Sequence, residues 1–271
     1  MGANASTVHA LSVPGSPDRE NEDASWVGER VVVVADGAGL PKEFRAGCEH
    51  TVAWFSHALA EAFGSILERG DSSMTDSLEA ALADVRDRHA TTCDLASGSP
   101  SATVVAWRIG DDDVECLVLC DSSIVVVRED GPLHLTDDRL DQLVHRLAAD
   151  REEAARVAAA GGTPAPIPRA ADLLNTPGGY WVASHDPDVA HRALVTTVRR
   201  AEVRHLVAAS DGATRSFLEV GTHTLEEFAR ECAAGRLTEL RDAVRAAETA
   251  RTDVAPGEKR HDDLTVVSTA V

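Results

Sequence analysis

The sequence predicts an α+β domain in which helices pack on the outside of β-sheets. Valine-rich segments with strand propensity recur along the chain, and two long amphipathic segments of helical period separate the first two of them. More helical sequence precedes the last strand. Strands followed by a helix pair, and then by more strands, are typical of the α+β class.

Six segments have the composition of strands, because valine and other β-formers dominate them. In chain order they are residues 25–36, 101–109, 114–129, 180–184, 205–210 and 264–271. Apolar residues at helical spacing predict helices over 46–69 and 74–90, and one or two more over 225–250.

Residues 139–172 differ from the rest, since an arginine- and alanine-rich helical stretch leads into the breaker-rich sequence GGTPAPIPRA. This composition predicts an excursion on the surface. No linker divides the chain and no internal repeat is present. We therefore expect a single domain over 1–271 that carries this excursion.

The charge and composition exclude several classes of protein. The formal net charge is −19, so neither nucleic acid nor an anionic membrane is an expected partner, whereas cations are. No segment approaches the 18 continuous apolar residues of a membrane span. The first residues lack the pattern of a signal peptide, so we expect a cytoplasmic protein.

The cysteines argue against a covalent framework. There are five of them, at positions 48, 93, 116, 120 and 232, and none forms a CxxC pair. An odd and scattered set is unlike a disulfide scaffold and unlike a thiolate zinc site.

Acidic residues recur at the ends of the predicted strands. Four valines run directly into Asp36-Gly37, a second strand ends in Asp211-Gly212, and the last strand begins after Asp262-Asp263. Glu22-Asp23 precede the first predicted strand, and Asp121 interrupts an apolar run. Each acid alone fits a turn, since Asp-Gly commonly reverses a strand.

Together, these acids predict a metal site. If the final strand is antiparallel to its neighbours, its start meets their ends at one edge, and the crowded carboxylates repel one another. A divalent cation removes that conflict. Oxygen ligands with no converging Cys or His point to Mg²⁺ or Mn²⁺, with Ca²⁺ as the less favoured alternative. Two ions of this kind can clamp a phosphoryl group.

An ordered set of motifs resembles the PPM/PP2C family of metal-dependent serine/threonine protein phosphatases, most closely its compact bacterial members. The motifs are NEDA (21–24), ADGAG (35–39), SPSATVV (99–105), CDSS (120–123), LT-D (135–138), SDG (210–212) and DDLTVV (262–267). They follow the order of the family from about residue 10 to the end of the chain.

The resemblance implies a four-layer αββα sandwich, in which two central antiparallel sheets are flanked by helix pairs. It also implies a binuclear Mn²⁺ or Mg²⁺ centre whose catalytic ligands would be Asp36, Asp211 and Asp262. Asp36 would bridge the ions. The remaining positions that match metal-binding positions of the family are Gly37, Glu22, Asp23 and Asp121, the last at a third, looser site. The excursion at 139–172 corresponds to the flap beside the cleft.

The chain departs from the family pattern at several positions. Asp18 stands where relatives carry a phosphate-binding arginine, and Arg19 follows it, so Arg19 is either the substrate ligand or a surface arginine. The usual Gly-Asp-Ser-Arg is Cys-Asp-Ser-Ser at 120–123, and Arg215 lies where the family often has an acid.

Three functions are compatible with these residues. The first is Mn²⁺- or Mg²⁺-dependent hydrolysis of phosphoserine and phosphothreonine in proteins, by a monomeric enzyme whose partner is its phosphoprotein substrate. The second is a catalytically weak or inactive relative that serves as a regulatory or binding module. The third is a hydrolase of small phosphoesters.

Overall fold

The fold comes from a computed structural model, which describes residues 7–39, 42–70, 72–252 and 259–271. Within these ranges, ten strands form two antiparallel five-stranded sheets. The strands are β1 (Val8–Val13), β2 (Ala24–Val27), β3 (Val31–Gly37), β4 (Ala102–Ile109), β5 (Asp113–Leu119), β6 (Ser123–Arg128), β7 (Gly131–Leu135), β8 (Leu194–Arg199), β9 (Val203–Ala209) and β10 (Leu264–Ala270). Sheet I has the order β1-β10-β9-β6-β7, and sheet II has the order β2-β3-β4-β5-β8.

The described residues also form six α-helices, five of which flank the sheets. They are α1 (Val52–Arg69), α2 (Met74–His89), α3 (Arg139–Ala159), α4 (Asp211–Leu218), α5 (Leu225–Ala233) and α6 (Leu237–Ala250). Helices α1 and α2 cover sheet II, while α4, α5 and α6 cover sheet I. The predicted α+β sandwich with two central antiparallel sheets is therefore confirmed.

The valine run of β3 shows how the layers are assembled. Val31 and Val33 face the helices α1 and α2, whereas Val32 and Val34 face the other sheet. A strand that is buried on both faces needs apolar residues at every position, since neither face meets water. The four consecutive valines thus mark a central strand.

Several predicted boundaries are wrong. The helix predicted over 46–69 begins at Val52, because the Thr51 side chain accepts a hydrogen bond from the Trp54 amide at 3.1 Å and caps it. Residues 180–184 are not a strand and form only isolated bridges to neighbouring segments. Residues 114–129 form two strands, β5 in sheet II and β6 in sheet I.

The excursion between β7 and β8 begins with α3, which covers its arginine- and alanine-rich half. Leu143 and Leu147 are the buried residues of this helix, and they pack with Tyr180 and Val182 from the returning segment. Tyr180 and Val182 also line the cavity that contains Asp36. The excursion therefore borders the acidic residues.

The cysteines are scattered along the sequence, but the fold brings one pair of them together. Cys48 and Cys93 lie 45 positions apart in the chain, but their sulfur atoms are 3.1 Å apart. Cys116, Cys120 and Cys232 are buried and free.

None of the helices in the described part of the chain is both long enough and apolar enough to cross a membrane.

Candidate active site

The acids at the strand ends meet where the two sheets end together. Asp36 lies near the end of β3, Asp211 begins α4 directly after β9, and Asp262 precedes β10. Strand β10 runs antiparallel to β9, with Val266 opposite Ala209, so the start of one lies beside the end of the other. The Asp211 amide donates a weak hydrogen bond to Oδ2 of Asp36 at 3.4 Å and links the two sheets.

These acids line a cavity of about 290 Å³. Its wall includes Asp36, Gly37, Asp121, Asp211 and Asp262, together with the side chain of Lys259. Leu140 from the excursion and Tyr180 from the returning segment also line the cavity. Five of the residues predicted to bind metal are thus brought together by the fold.

Asp121 reaches this cavity because the chain crosses there from sheet II to sheet I. Cys120, the residue before it, has a φ of 69°, a left-handed conformation that favours glycine. A non-glycine residue in this conformation is held at some energetic cost. The Cys120 amide donates a hydrogen bond to Oδ2 of Asp137 at 3.1 Å. The neighbouring Ser122 hydroxyl shares a hydrogen bond of 2.5 Å with that of Thr103.

The carboxylates destabilise one another's charged forms. Burial, followed by the charges of Asp23 and Asp211, raises the pKa of Asp36 well above its ordinary value. Burial, and then the charges of Asp262 and Asp121, raises the pKa of Asp211 to about 8. Burial also raises the pKa of Asp121. Because these neighbouring carboxylates resist ionisation, a divalent cation bound among them would stabilise their charged forms.

Asp23 and Glu22 lie on the loop that precedes β2. Asp23 is 1% exposed, and burial is the main cause that raises its pKa to about 6. Glu22 is fixed through its backbone, since its carbonyl oxygen accepts hydrogen bonds from the Gly37 amide at 3.1 Å and from the Ser56 hydroxyl at 2.5 Å. Its carboxylate borders a second, larger cavity of about 780 Å³.

Asp263 positions this loop, although the sequence singled it out only as the neighbour of Asp262. Its two carboxylate oxygens accept hydrogen bonds from the Gly15 and Glu22 amides, each at 2.6 Å. Both carboxylate oxygens of Asp263 are therefore engaged by backbone amides. We assign Asp263 a structural role.

Two basic residues pair with Asp262, and sequence reasoning did not assign either to the site. Lys259 Nζ lies 3.0 Å from Oδ1 of Asp262 and 3.5 Å from Oε2 of Glu22. Arg215 Nη2 lies 3.1 Å from Oδ2 of Asp262, while its Nη1 contacts Glu248, which is fully buried, at 3.2 Å. Arg215 was recognisable as a departure from the family; Lys259 had no motif to mark it.

The larger cavity contains the predicted substrate ligand. Arg19 lines it together with Arg45, Lys259 and Arg260, and acidic residues that include Glu22 line it as well. Arg19 is exposed, and Arg45 has a buried Nε without a hydrogen-bond partner among the described residues. Cationic side chains are thus available around a space that adjoins Glu22.

The family model of protein phosphatase 2C matches residues 19–247. This chain belongs to the protein phosphatase 2C family. The match includes Asp36, Asp121 and Asp211 but ends before Asp262. No curated protein matches the chain at a significant level.

Solved structures of bacterial phosphatases have the same fold. The serine/threonine phosphatase PstP/Ppp of Mycobacterium tuberculosis has 17% sequence identity and a TM-score of 0.57, and 98% of each chain is covered. PppA of Pseudomonas aeruginosa has 16% sequence identity and a TM-score of 0.58, with 98% of each chain covered. The phosphatase Stp1 of Staphylococcus aureus gives 14% and 0.57, with 97% of this chain and 94% of Stp1 covered. A PstP catalytic domain in complex with two manganese ions has 16% sequence identity and a TM-score of 0.57. The match covers 98% of this chain and 97% of the PstP chain.

The donor set of this family member fits Mn²⁺ or Mg²⁺, since the converging groups are carboxylates around the Gly37 backbone. The fit is better at Asp36, Asp121 and Asp211 than at Asp262. Both oxygens of Asp262 already lie within 3.1 Å of a cationic nitrogen, from Lys259 and Arg215.

Proposed function

We propose that this protein phosphatase 2C family member hydrolyses phosphoserine and phosphothreonine in proteins, with Mn²⁺ or Mg²⁺ as cofactor. The observation that carries the proposal is the convergence of Asp36, Asp121, Asp211 and Asp262 on one cavity at the end of both sheets. Family membership supports the reaction class.

Two ions would be held by Asp36, the Gly37 carbonyl, Asp211 and Asp262, with Glu22, Asp23 and Asp121 around them. When bound, they would supply a water of lowered pKa and neutralise charge on the phosphoryl oxygens. The carboxylates of the chain orient the reacting groups.

The basic residues of the larger cavity would bind the phosphoryl group. A guanidinium donates two parallel hydrogen bonds to a phosphate, and Arg19 and Arg45 both line the cavity beside Glu22. The neighbouring excursion at 139–172, together with Tyr180 of the returning segment, would contact the peptide that carries the phosphate. We assign it the role of a flap, within a single domain.

A second candidate function has one observation in its favour. Lys259 and Arg215 each contact one carboxylate oxygen of Asp262, as expected of a module that keeps the sandwich but binds metal weakly. Such a protein would serve as a regulatory or binding partner.

Turnover of a phosphothreonine peptide and of p-nitrophenyl phosphate, measured with Mn²⁺, Mg²⁺ or EDTA, separates these functions. We expect metal-dependent release of phosphate from both substrates and none from an Asp36→Asn variant. Release from the aryl phosphate alone would indicate a hydrolase of small phosphoesters. Binding of metal without release from either would favour the regulatory module.

A further inference from the structure

Two cysteines and two histidines meet at one end of the helix pair on sheet II, away from the acidic cavity. Cys48 and His50 lie in the segment before α1, His89 is the last residue of α2, and Cys93 follows four positions later. One ligand atom from each of the four lies within 4.8 Å of every other. We propose that Cys48, His50, His89 and Cys93 bind a Zn²⁺ ion.

The distances between the ligand atoms fit a tetrahedral ion. The two sulfur atoms are 3.1 Å apart, and Cys48 Sγ lies 3.4 Å from Nδ1 of His89. His50 Nδ1 lies 3.6 Å from Cys48 Sγ and 3.3 Å from Cys93 Sγ. Ideal Zn–S and Zn–N bonds of about 2.3 and 2.0–2.1 Å give tetrahedron edges of roughly 3.3–3.8 Å. A small outward shift of the sulfur atoms would admit the ion.

The surroundings hold the two imidazoles in place. The Trp54 ring lies against both, with centroids 3.9 Å from His50 and 5.3 Å from His89. His89 is fully buried, and its Nε2 has no hydrogen-bond partner among the described residues. Among the described residues, the His89 side chain therefore makes its hydrogen-bond contact with Cys48, through Nδ1. This leaves the imidazole free to bind a metal ion.

A disulfide between Cys48 and Cys93 is the competing explanation for the two sulfur atoms. It would account for the thiols but not for the histidines, since His50 directs Nδ1 at both sulfur atoms and His89 directs Nδ1 at that of Cys48. Two sulfur and two nitrogen donors in a tetrahedral arrangement are the usual ligands of structural zinc.

The spacing in the sequence agrees with a metal site. The ligands form the pairs Cys-x-His (48–50) and His-x₃-Cys (89–93), and paired ligands at short spacing are typical of structural zinc. A turn after α2 brings the second pair together, since the Cys93 amide donates to the His89 carbonyl at 3.0 Å. The absence of CxxC concealed this pattern in the sequence.

Such an ion would fasten the end of α2 to the segment that leads from the acidic cavity into α1. The same two segments already meet through the backbone, where the Asp94 amide donates to the Gly47 carbonyl at 2.8 Å. A Cβ on Gly47 would lie 1.9 Å from the Asp94 carbonyl oxygen, so the approach requires glycine. Arg45, two residues earlier, lines the larger cavity. With four protein ligands the site is structural and has no open position for catalysis.

The site is tested on the full chain, purified with reductant and without added metal, then titrated with Zn²⁺ and separately with Co²⁺. We expect about one Zn²⁺ per chain that survives dialysis and is lost in the Cys48→Ser and Cys93→Ser variants. The control Cys232→Ala alters a buried cysteine of α5 and should retain the ion. Co²⁺ in the unaltered chain should give the visible d–d bands of a tetrahedral ion and a thiolate charge-transfer band, which an all-oxygen centre cannot give.

Three results would overturn the proposal. One is Zn²⁺ retained equally by both serine variants, which would place the ion among the acids. Another is a Co²⁺ spectrum of the unaltered chain that lacks the thiolate band, which needs no variant to fold. The third is a reduced chain that binds no Zn²⁺, together with loss of two free thiols on oxidation, which would establish the disulfide. None of these results depends on phosphatase activity.

Discussion

The ammonium nitrogen of Lys259 lies 3.0 Å from Oδ1 of Asp262, a carboxylate that the family pattern assigns to metal binding. Burial opposes the charge of this lysine, but the carboxylates of Asp262 and Glu22 more than compensate and raise its pKa. Lys259 is therefore a cation at neutral pH, and we expect it to compete with a metal ion for the same carboxylates.

Replacing Lys259 with methionine should strengthen metal binding. Two unit charges about 4 Å apart interact by roughly 4 kcal/mol at an effective dielectric constant of about 20. Even a third of that energy corresponds to about a tenfold tighter Kd for Mn²⁺. Titration calorimetry measures the Kd for Mn²⁺ of the variant and of the unaltered chain. Lys42→Met, at the only other lysine of the chain, should leave the Kd unchanged, and equal Kd values for both variants would show that Lys259 does not compete.

Asp36→Asn should lower turnover of the phosphothreonine peptide by more than about a hundredfold. Loss of an outer contact alone costs about 10–100-fold at metal sites, and Asp36 is the acid on which the other carboxylates converge. Steady-state kinetics with saturating Mn²⁺ measures the effect. The control Asp113→Asn changes an exposed acid at the start of β5, at the opposite end of sheet II. Near-normal turnover by Asp36→Asn would refute the binuclear assignment.

Arg19→Ala should weaken substrate capture. A hydrogen bond to a charged group contributes about 1.5–3 kcal/mol, so kcat/KM should fall roughly ten- to a hundredfold. The affinity for Mn²⁺ should hardly change, because Arg19 lines the larger cavity and not the one that contains Asp36 and Asp211. Arg30→Ala is the control, since Arg30 is exposed in the turn before β3. Equal and negligible effects of the two substitutions would exclude a role for Arg19.

The stability of the metal-free protein should fall as the pH rises. Asp211 has a pKa of about 8 and Asp23 of about 6 in the folded state, both above the ordinary aspartate value. The folded chain therefore binds more protons than the unfolded chain, and the stabilisation present below about pH 4 is lost as the pH passes 6 and then 8.

Thermal unfolding in EDTA between pH 5 and 8.5 measures this slope. Asp211→Asn should flatten its upper part, because the amide does not titrate. Added Mn²⁺ should raise the Tm most at high pH, since the ligands bind metal when deprotonated. A Tm that rises with pH in EDTA, or that does not change when Mn²⁺ is added, would contradict the assignment of the acid cluster as a cation site.

The sequence alone determined the fold class and the acids of the candidate site. A strand buried on both faces requires apolar residues throughout, so the valine run before Asp36 identified a central strand without any tertiary information. The order of the motifs identified Asp211 and Asp262 in the same way, because each lies directly beside a segment with the composition of a strand. Local patterns suffice when the information lies in neighbouring residues.

Only the tertiary structure decided which distant side chains meet. Residues 114–129 form one apolar run in the sequence, but the chain changes sheets at Asp121, and sequence hydrophobicity is the same on either side of such a crossing. Lys259 and Arg215 reach Asp262, and Cys48 reaches Cys93, through contacts between separate elements. These contacts depend on how helices and loops pack in space, and no periodicity of the chain records that packing.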